Sequence, residues 1–481
     1  MKEELLKVFL KKNINNIEFK SEKIKTFRGL ESENLHTILF PKNKESLKKI
    51  FYFLNKNKLR AVVHGNRLSN GDQLFSANNI AISLKLLPKK LKIVKKNMIQ
   101  CTSNITIEEI NKKLEKKSKI NNFNFPIIPG STHITIGGAI ANNVHDKKSF
   151  KYGNFYNFIE EMEIIFPNQK ILKITKRKDI FNCVVGGLGL IGIILNVKIR
   201  LLKHPSYVIS NIKRINNFND FKNNLLNKTN SDFFVVWFDP ASKNFNSIFE
   251  NSCFSSHSTK SLNVSSLWRP IVLLFIKNFF LFFRLLPAKN KDTFIINLFN
   301  KLIYIFSFFY PNNKKISYFE YGSKVQNYFK TTGLNSLFNN GTFMLQITFS
   351  EKYIIHALKI FNKGFRKYGF TSPWSIIKKS KLDNGYLSFS ENGFNLGLNF
   401  PNSYQTNKYF KEFLHSVIYN TVKKYKGKIY FCKDSTAKSE YIKNTYPKIK
   451  YFKRLKKKND KNNILSHLLY ERLFTKTKYG K

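Results

Sequence analysis

Tyr430 and Lys433 lie three residues apart in the run GKIYFCKDS, residues 427–435. A lysine of this kind can hold a developing negative charge, hold a substrate oxyanion or, with its pKa lowered, act as a base. One Lys among 83 Lys and Arg residues is ordinarily a solvated surface group, so the pair needs a setting. The setting is a set of glycine-rich turns. PIIPGSTHITIGGAIANN (126–143) contains Pro129, Gly130, Thr135, Gly137, Gly138, Ala141 and Asn142, and His145, Asp146 and Lys147 follow it. VVGGLGLIG (184–192) contains Gly187, Gly189 and Gly192, with Ile193 next. AVVHGNRLSNGD (61–72) carries Gly65, Arg67, Ser69, Asn70, Gly71 and Asp72. Glycines let backbone N–H groups approach a ligand with no Cβ in the way. Such a lining suits a large, flat, phosphate-bearing cofactor.

Gly187, Gly189 and Gly192 satisfy the dinucleotide fingerprint G-x-G-x-x-G, which requires a strand before it and a helix after it. Here Leu195, Val197, Ile199 and Leu201 alternate with Asn196, Lys198 and Arg200. Period two predicts a strand, so a Rossmann reading is rejected. A ligand-free β-turn would look the same in that stretch alone. The first turn argues otherwise: a helix-like segment, Lys44–Lys56, and an apolar strand at 61–63 precede it, and a strand pattern at 78–86 follows.

The three segments, in this order and spacing, resemble the FAD-binding domain of the vanillyl-alcohol oxidase superfamily, the PCMH type. Within it the chain is most similar to the decaprenylphosphoryl-β-D-ribose 2′-oxidases, with sugar-lactone oxidases further off. The Tyr-x-x-Lys-Asp-Ser run and the closing segment YPKIKYFKRLKKKNDKNNILSHLLYERL (446–473) carry that likeness. The resemblance implies an α+β chain: a two-part FAD-binding domain, residues 1–204 and 426–481, around a substrate domain, 205–425, with an antiparallel sheet and covering helices. It also implies Lys433 and Tyr430 as active-site residues. His145 and Lys147 would lie at the cofactor, with Asp146 adding a negative charge where the family has glycine. Gln346, Lys378 and Asn395 would line a sugar pocket, Lys378 facing a substrate phosphate. Gly397 stands where those relatives carry cysteine, and Asn70 where they carry tyrosine. Members that tether FAD through the first turn use a histidine directly before the serine. That position is Leu68, so non-covalent FAD is expected, with His64 structural.

Composition bounds the reading. The length, 481 residues, predicts more than one domain, and 42% hydrophobic with 15% aromatic residues is ample for a core. The net charge of +53 is spread over every segment without a DNA or RNA recognition motif. This argues against nucleic acid and for anionic lipid or a phosphorylated substrate. Four cysteines without CxxC spacing support neither a disulfide framework nor a zinc site, and no metal is expected. The N-terminus lacks the marks of a signal peptide, and a cytoplasmic protein is expected, peripheral at the inner face of the membrane. Residues 267–310 are nearly apolar. Lys277, Arg284 and Lys301 break them short of the ~18 uncharged residues of a spanning helix. They read as two interfacial helices or as buried core helices.

The expected activity is oxidation of a sugar secondary alcohol, on a polyprenyl-phosphate pentose, to a ketone. A separate short-chain reductase would complete an epimerisation. The alternatives are an aldonolactone oxidase and a non-catalytic, basic, membrane-associated protein on a flavin fold.

Overall fold

The computed structural model describes residues 2–13, 15–256, 291–310, 312–323, 338, 341–442 and 445–475. The N-terminal half builds two sheets. In the first, the strands Ile17–Glu22, His36–Pro41, Ile80–Ser83 and Val62–His64 lie side by side in that order, the last three mutually parallel. The helix Lys44–Lys56 connects the second and fourth of these in space. Asn43 caps it by accepting from the Ser46 amide at 2.8 Å, and Leu47, Ile50, Phe51 and Leu54 bury one stripe. The second sheet is antiparallel, in the order Leu91–Lys95, Met98–Thr102, Ile193–Arg200, Ile159–Ile165 and Ile171–Thr175. Ile193–Arg200 is the strand its period predicts: Leu195, Val197 and Ile199 are buried, and Asn196, Lys198 and Arg200 are half-buried. The turn before it ends in a strand, so the rejected dinucleotide motif has no helix to present.

The middle of the chain forms an eight-stranded antiparallel sheet, the α+β layer expected. Its order is Lys314–Ser317, Tyr207–Ile215, Ser247–Ser255, Phe233–Phe238, Ser375–Ser380, Gly393–Pro401, Thr342–Ser350 and Lys428–Ile429. The helix Glu351–Tyr368 packs against it through Ile354, Leu358, Phe361 and Phe365 and stops at Gly369, whose φ of 70° is left-handed. The closing segment does two jobs. Lys428–Ile429 first extends the eight-stranded sheet by pairing with Ile347 and Thr348. The chain then returns to the N-terminal sheets, where Leu465 bridges Ala61. There Arg472 pairs with Asp72 at 2.9 Å and with Asp434 at 3.1 Å.

Of the apolar stretch 267–310, the first candidate helix, 267–286, lies outside the described residues. The second is the helix Lys291–Phe306, extended by the turn Ser307–Phe309. Its 18 residues Asp292–Phe309 are long and apolar enough to cross a membrane. One side is core: Ile295, Ile296 and Phe299 are buried, and the Asn300 amide donates to the Ser372 carbonyl at 3.2 Å. The other side faces out, with Phe308 61% and Phe309 80% exposed.

Candidate active site

Strand periodicity builds one wall of a cleft of about 460 Å³ between the N-terminal sheets and the eight-stranded sheet. Successive residues of a strand point to opposite faces. Register places Gln346 opposite Gly397 and Thr348 opposite Asn395. The next strand sets Ile376 against Gly397 and Lys378 against Asn395. Met344, Gln346, Trp374, Ile376, Lys378 and Asn399 therefore share the face that lines the cleft. Gly397 leaves room there: a Cβ on it would come within 2.7 Å of the Met344 methyl.

The glycine turns build the opposite wall. Gly65, Arg67, Ser69, Pro129, Gly130, Thr135, Gly137, Gly138, Ala141, Asn142, His145, Gly189, Gly192 and Ile193 all line the cleft. Gly189, at φ 75°, turns backbone toward open space, with no heavy atom within 4 Å of where a Cβ would stand. The third side is the turn Phe431–Lys433, which brings Tyr430, Cys432 and Lys433 to the cleft. The Asn70 amide donates to the Cys432 carbonyl at 3.1 Å and so ties the first glycine turn to this one.

A hydrogen-bonded row crosses the floor. The Gln346 amide nitrogen donates to His145 Nε2 at 2.7 Å and to Asn395 Oδ1, and Asn395 Nδ2 donates to Thr348 Oγ1 at 2.9 Å. An amide nitrogen can only donate, so Nε2 is the unprotonated ring nitrogen of His145. Burial, then the Lys378 and Lys433 charges, hold the imidazole well below its usual range, hence neutral. Phe389 and Tyr430 box the ring, with centroids 5.2 and 5.7 Å away. The Tyr430 hydroxyl donates to the Asn142 carbonyl at 2.8 Å, and burial pushes its pKa well up. Tyr430 is thus a fixed wall and a neutral donor, not a base. Lys433 is half-buried. Burial lowers its pKa and the Arg28 charge adds to that, while the Cys432 thiol opposes it. Burial brings Lys378 down to about 8. Burial also pushes the Cys432 thiol up to about 11, so it is no nucleophile at neutral pH.

Several expected residues stand apart from the cleft. Lys147 turns to the eight-stranded sheet, 3.3 Å from Glu250 and 3.9 Å over the Tyr321 ring. Asp72 is engaged by Arg472. Gly71 and Gly187 serve tight packing: a Cβ on them would come within 2.0 Å of the Asp434 carbonyl oxygen and 1.9 Å of the Cys183 one. Asn70 sits behind the lining and is 1% exposed. Asn395 acts through Gln346. Asp146 does not leave a bare charge at the cofactor wall. It accepts from the fully buried Lys148 and from the Ile128 amide at 3.1 Å, and the Tyr318 hydroxyl completes the site. Leu68 lines the cleft without a nucleophile, and His64 donates through Nε2 to the Leu74 carbonyl at 2.9 Å. Burial drops the His64 pKa to about 3, a neutral structural histidine. Ser131, from the run 126–143, also lines the cleft, and Arg28, Trp374 and Asn399 line it outside any motif. The one signal for the last two was alternation, W-x-I-x-K and N-x-G-x-N.

The lining suits FAD. Among the described residues it holds Arg28, Arg67, Lys85, Lys89, Lys378 and Lys433 and no carboxylate. Ser131 Oγ and Gln73 Oε1 are buried there without a hydrogen-bond partner, which a polar ligand would supply. Residues 36–175 match the FAD binding domain family. The chain therefore carries an FAD-binding domain in an α+β fold, and FAD is its cofactor. Two D-lactate dehydrogenases are similar to it. That of Anaerostipes hadrus is 24% identical over 185 residues, 37% of this chain and 38% of that one. The mitochondrial D-lactate dehydrogenase [cytochrome] of Arabidopsis thaliana is 24% identical over 199 residues, 38% and 34% of the two. The decaprenylphosphoryl-beta-D-ribose oxidase of Mycolicibacterium smegmatis is 37% identical over 79 residues, 16% and 17%. The matched stretches thus span less than two fifths of the length of these relatives.

Proposed function

We propose that this chain is an FAD-dependent oxidoreductase that oxidises a secondary alcohol to a ketone, and that the alcohol is a sugar hydroxyl on a polyprenyl-phosphate pentose. One observation carries the reading: a polar row, Gln346–His145, and two lysines, Lys378 and Lys433, share a single cleft with the glycine-lined wall. FAD, when bound, supplies the two-electron acceptor. The chain's own residues do the rest. Gln346 and Asn395 hold the His145 ring in one orientation. Lys433, with its lowered pKa, is placed to take the hydroxyl proton on Nζ and then to steady negative charge as ammonium. Lys378 faces an anionic group of the substrate.

The helix Lys291–Phe309 supports a membrane-facing substrate. Its inner side is buried and tied through Asn300 to the Ser372 carbonyl, so its exposed aromatic end is suited to lying in a lipid interface rather than crossing it. A ketone left by this reaction would need a reductase to become the epimer, and a short-chain reductase is the partner we propose. The longer matches to D-lactate dehydrogenases favour a second reading, oxidation of a 2-hydroxy acid. Mass analysis of the products decides between them. Incubation with a polyprenyl-phosphate pentose should yield a ketone two hydrogens lighter. An unchanged sugar beside oxidised D-lactate would transfer the activity to the second reading.

A further inference from the structure

Arg28 belongs to the loop between Ile17–Glu22 and His36–Pro41, and no motif marks it. The loop is a tight turn: the Gly29 amide donates to the Thr26 carbonyl and the Leu30 amide to Thr26 Oγ1 at 3.0 Å, with Gly29 at φ 94°. It is clamped from two sides. The Phe27 amide donates to the Ser69 carbonyl in the first glycine turn. The Thr342 amide donates to the Arg28 carbonyl at 3.0 Å, and Arg28 Nη1 donates to Thr342 Oγ1 at 3.1 Å. Arg28 thus sits at the seam between cofactor wall and substrate sheet, 7% exposed, and it lines the cleft.

It is not the only cation there. Lys378 and Lys433 arrive from two other segments. Lys433 links the other two: the Arg28 charge adds to the lowering of its pKa by burial, and the Lys433 charge adds to the lowering by burial of that of Lys378. Burial takes Arg28 itself down to about 10, so it remains charged at neutral pH. Burying like charges together is costly unless an anion joins them. Among the described residues no Asp or Glu lines this cleft.

We propose that Arg28 and Lys378, on the same cleft as Lys433, form an anion-recognition subsite for the substrate, and that Arg28 selects alcohols carrying a carboxylate or phosphate over neutral ones. A planar guanidinium matches both groups through paired N–H donors, which Lys cannot imitate. The proposal rests on the oxidoreductase reading for the identity of the ligand as substrate.

The test uses the FAD-loaded protein, so the cofactor's own phosphates are already in place. The flavin absorbance is titrated with inorganic phosphate, oxalate and glycerol. The wild type should give a saturable shift with at least one anion and none with glycerol. The tighter of phosphate and oxalate identifies the group the subsite takes. Arg28→Gln, at unchanged FAD content, should weaken anion binding about tenfold to a hundredfold, the loss of a charged hydrogen-bond pair. Arg28→Lys should fall between the two. Should Arg28→Gln fail to hold FAD, Arg28→Lys decides: weaker anion binding supports the subsite, and wild-type binding overturns it. No saturable response in the wild type also overturns it. A flavin that responds to anions but that no alcohol reduces would break the oxidoreductase reading and leave the subsite standing.

Discussion

Replacing Phe308 and Phe309 by serine should release the protein from membranes without unfolding it. These rings are 61% and 80% exposed; the Arg214 guanidinium lies 4.7 Å over the Phe308 ring and the Tyr304 ring 5.9 Å from it. Together their free surface approaches one and a half whole side chains. Burying a Phe side chain contributes roughly 1.5–3 kcal/mol, so insertion of this tip should contribute about 2–4 kcal/mol. Its removal should weaken lipid binding about thirtyfold to a thousandfold. The chain's net charge of +53 would make any version stick to anionic vesicles at low salt. The assay is therefore co-sedimentation with phosphatidylglycerol vesicles at ~1 M salt, where screening cuts the Debye length to about 3 Å. The wild type should pellet and the double variant should remain in solution. Equal pelleting of both, or of neither, would refute the interfacial role and make the helix a lid or an ordinary surface element.

Acid precipitation should release all flavin into the supernatant, because Leu68 offers no atom for a covalent bond; fluorescent flavin in the pellet would refute this. Lys433→Ala should keep FAD and lose roughly a hundredfold in the rate of anaerobic flavin reduction, about 3 kcal/mol of charge stabilisation. A wild-type rate would remove Lys433 from the chemistry. Gly71→Ala should lower the melting temperature and the FAD content together, since its Cβ would meet the Asp434 carbonyl oxygen at 2.0 Å where the first domain and the closing segment are joined. An unchanged melting curve would show that the seam gives way easily.

The cofactor wall was legible because glycine turns and strand periods are local. The turn at 61–72, the helix-like Lys44–Lys56 and the strand after Gly192 each follow from a few neighbouring residues. Gln346 and Lys378 were recoverable through resemblance and stand on the cleft face that alternation dictates. What stayed hidden depends on long-range pairing. Nothing near Arg28 in the chain announces that Thr342, 314 residues away, holds it at the cleft. Asp146 reads as an added charge until Lys148 is seen folded back onto it, with Tyr318 contributing from a helical segment 170 residues further along the chain. Lys147, one residue before, points the other way for the same reason, because Glu250 lies on a strand of the second domain. The edge strand Lys428–Ile429 is too short to show a period, and it is recognisable only by its partners Ile347 and Thr348.

The central claim is that the cleft passes electrons from a secondary alcohol to bound FAD. Its most direct test is an anaerobic titration of the purified, FAD-loaded protein, followed by flavin absorbance near 450 nm on the order of one equivalent of alcohol at a time. A polyprenyl-phosphate pentose should bleach the flavin stoichiometrically, and readmitted oxidant should restore it. A flavin that stays fully oxidised with this substrate, with D-lactate and with an aldonolactone alike would contradict the account and leave a flavin fold that binds without reacting.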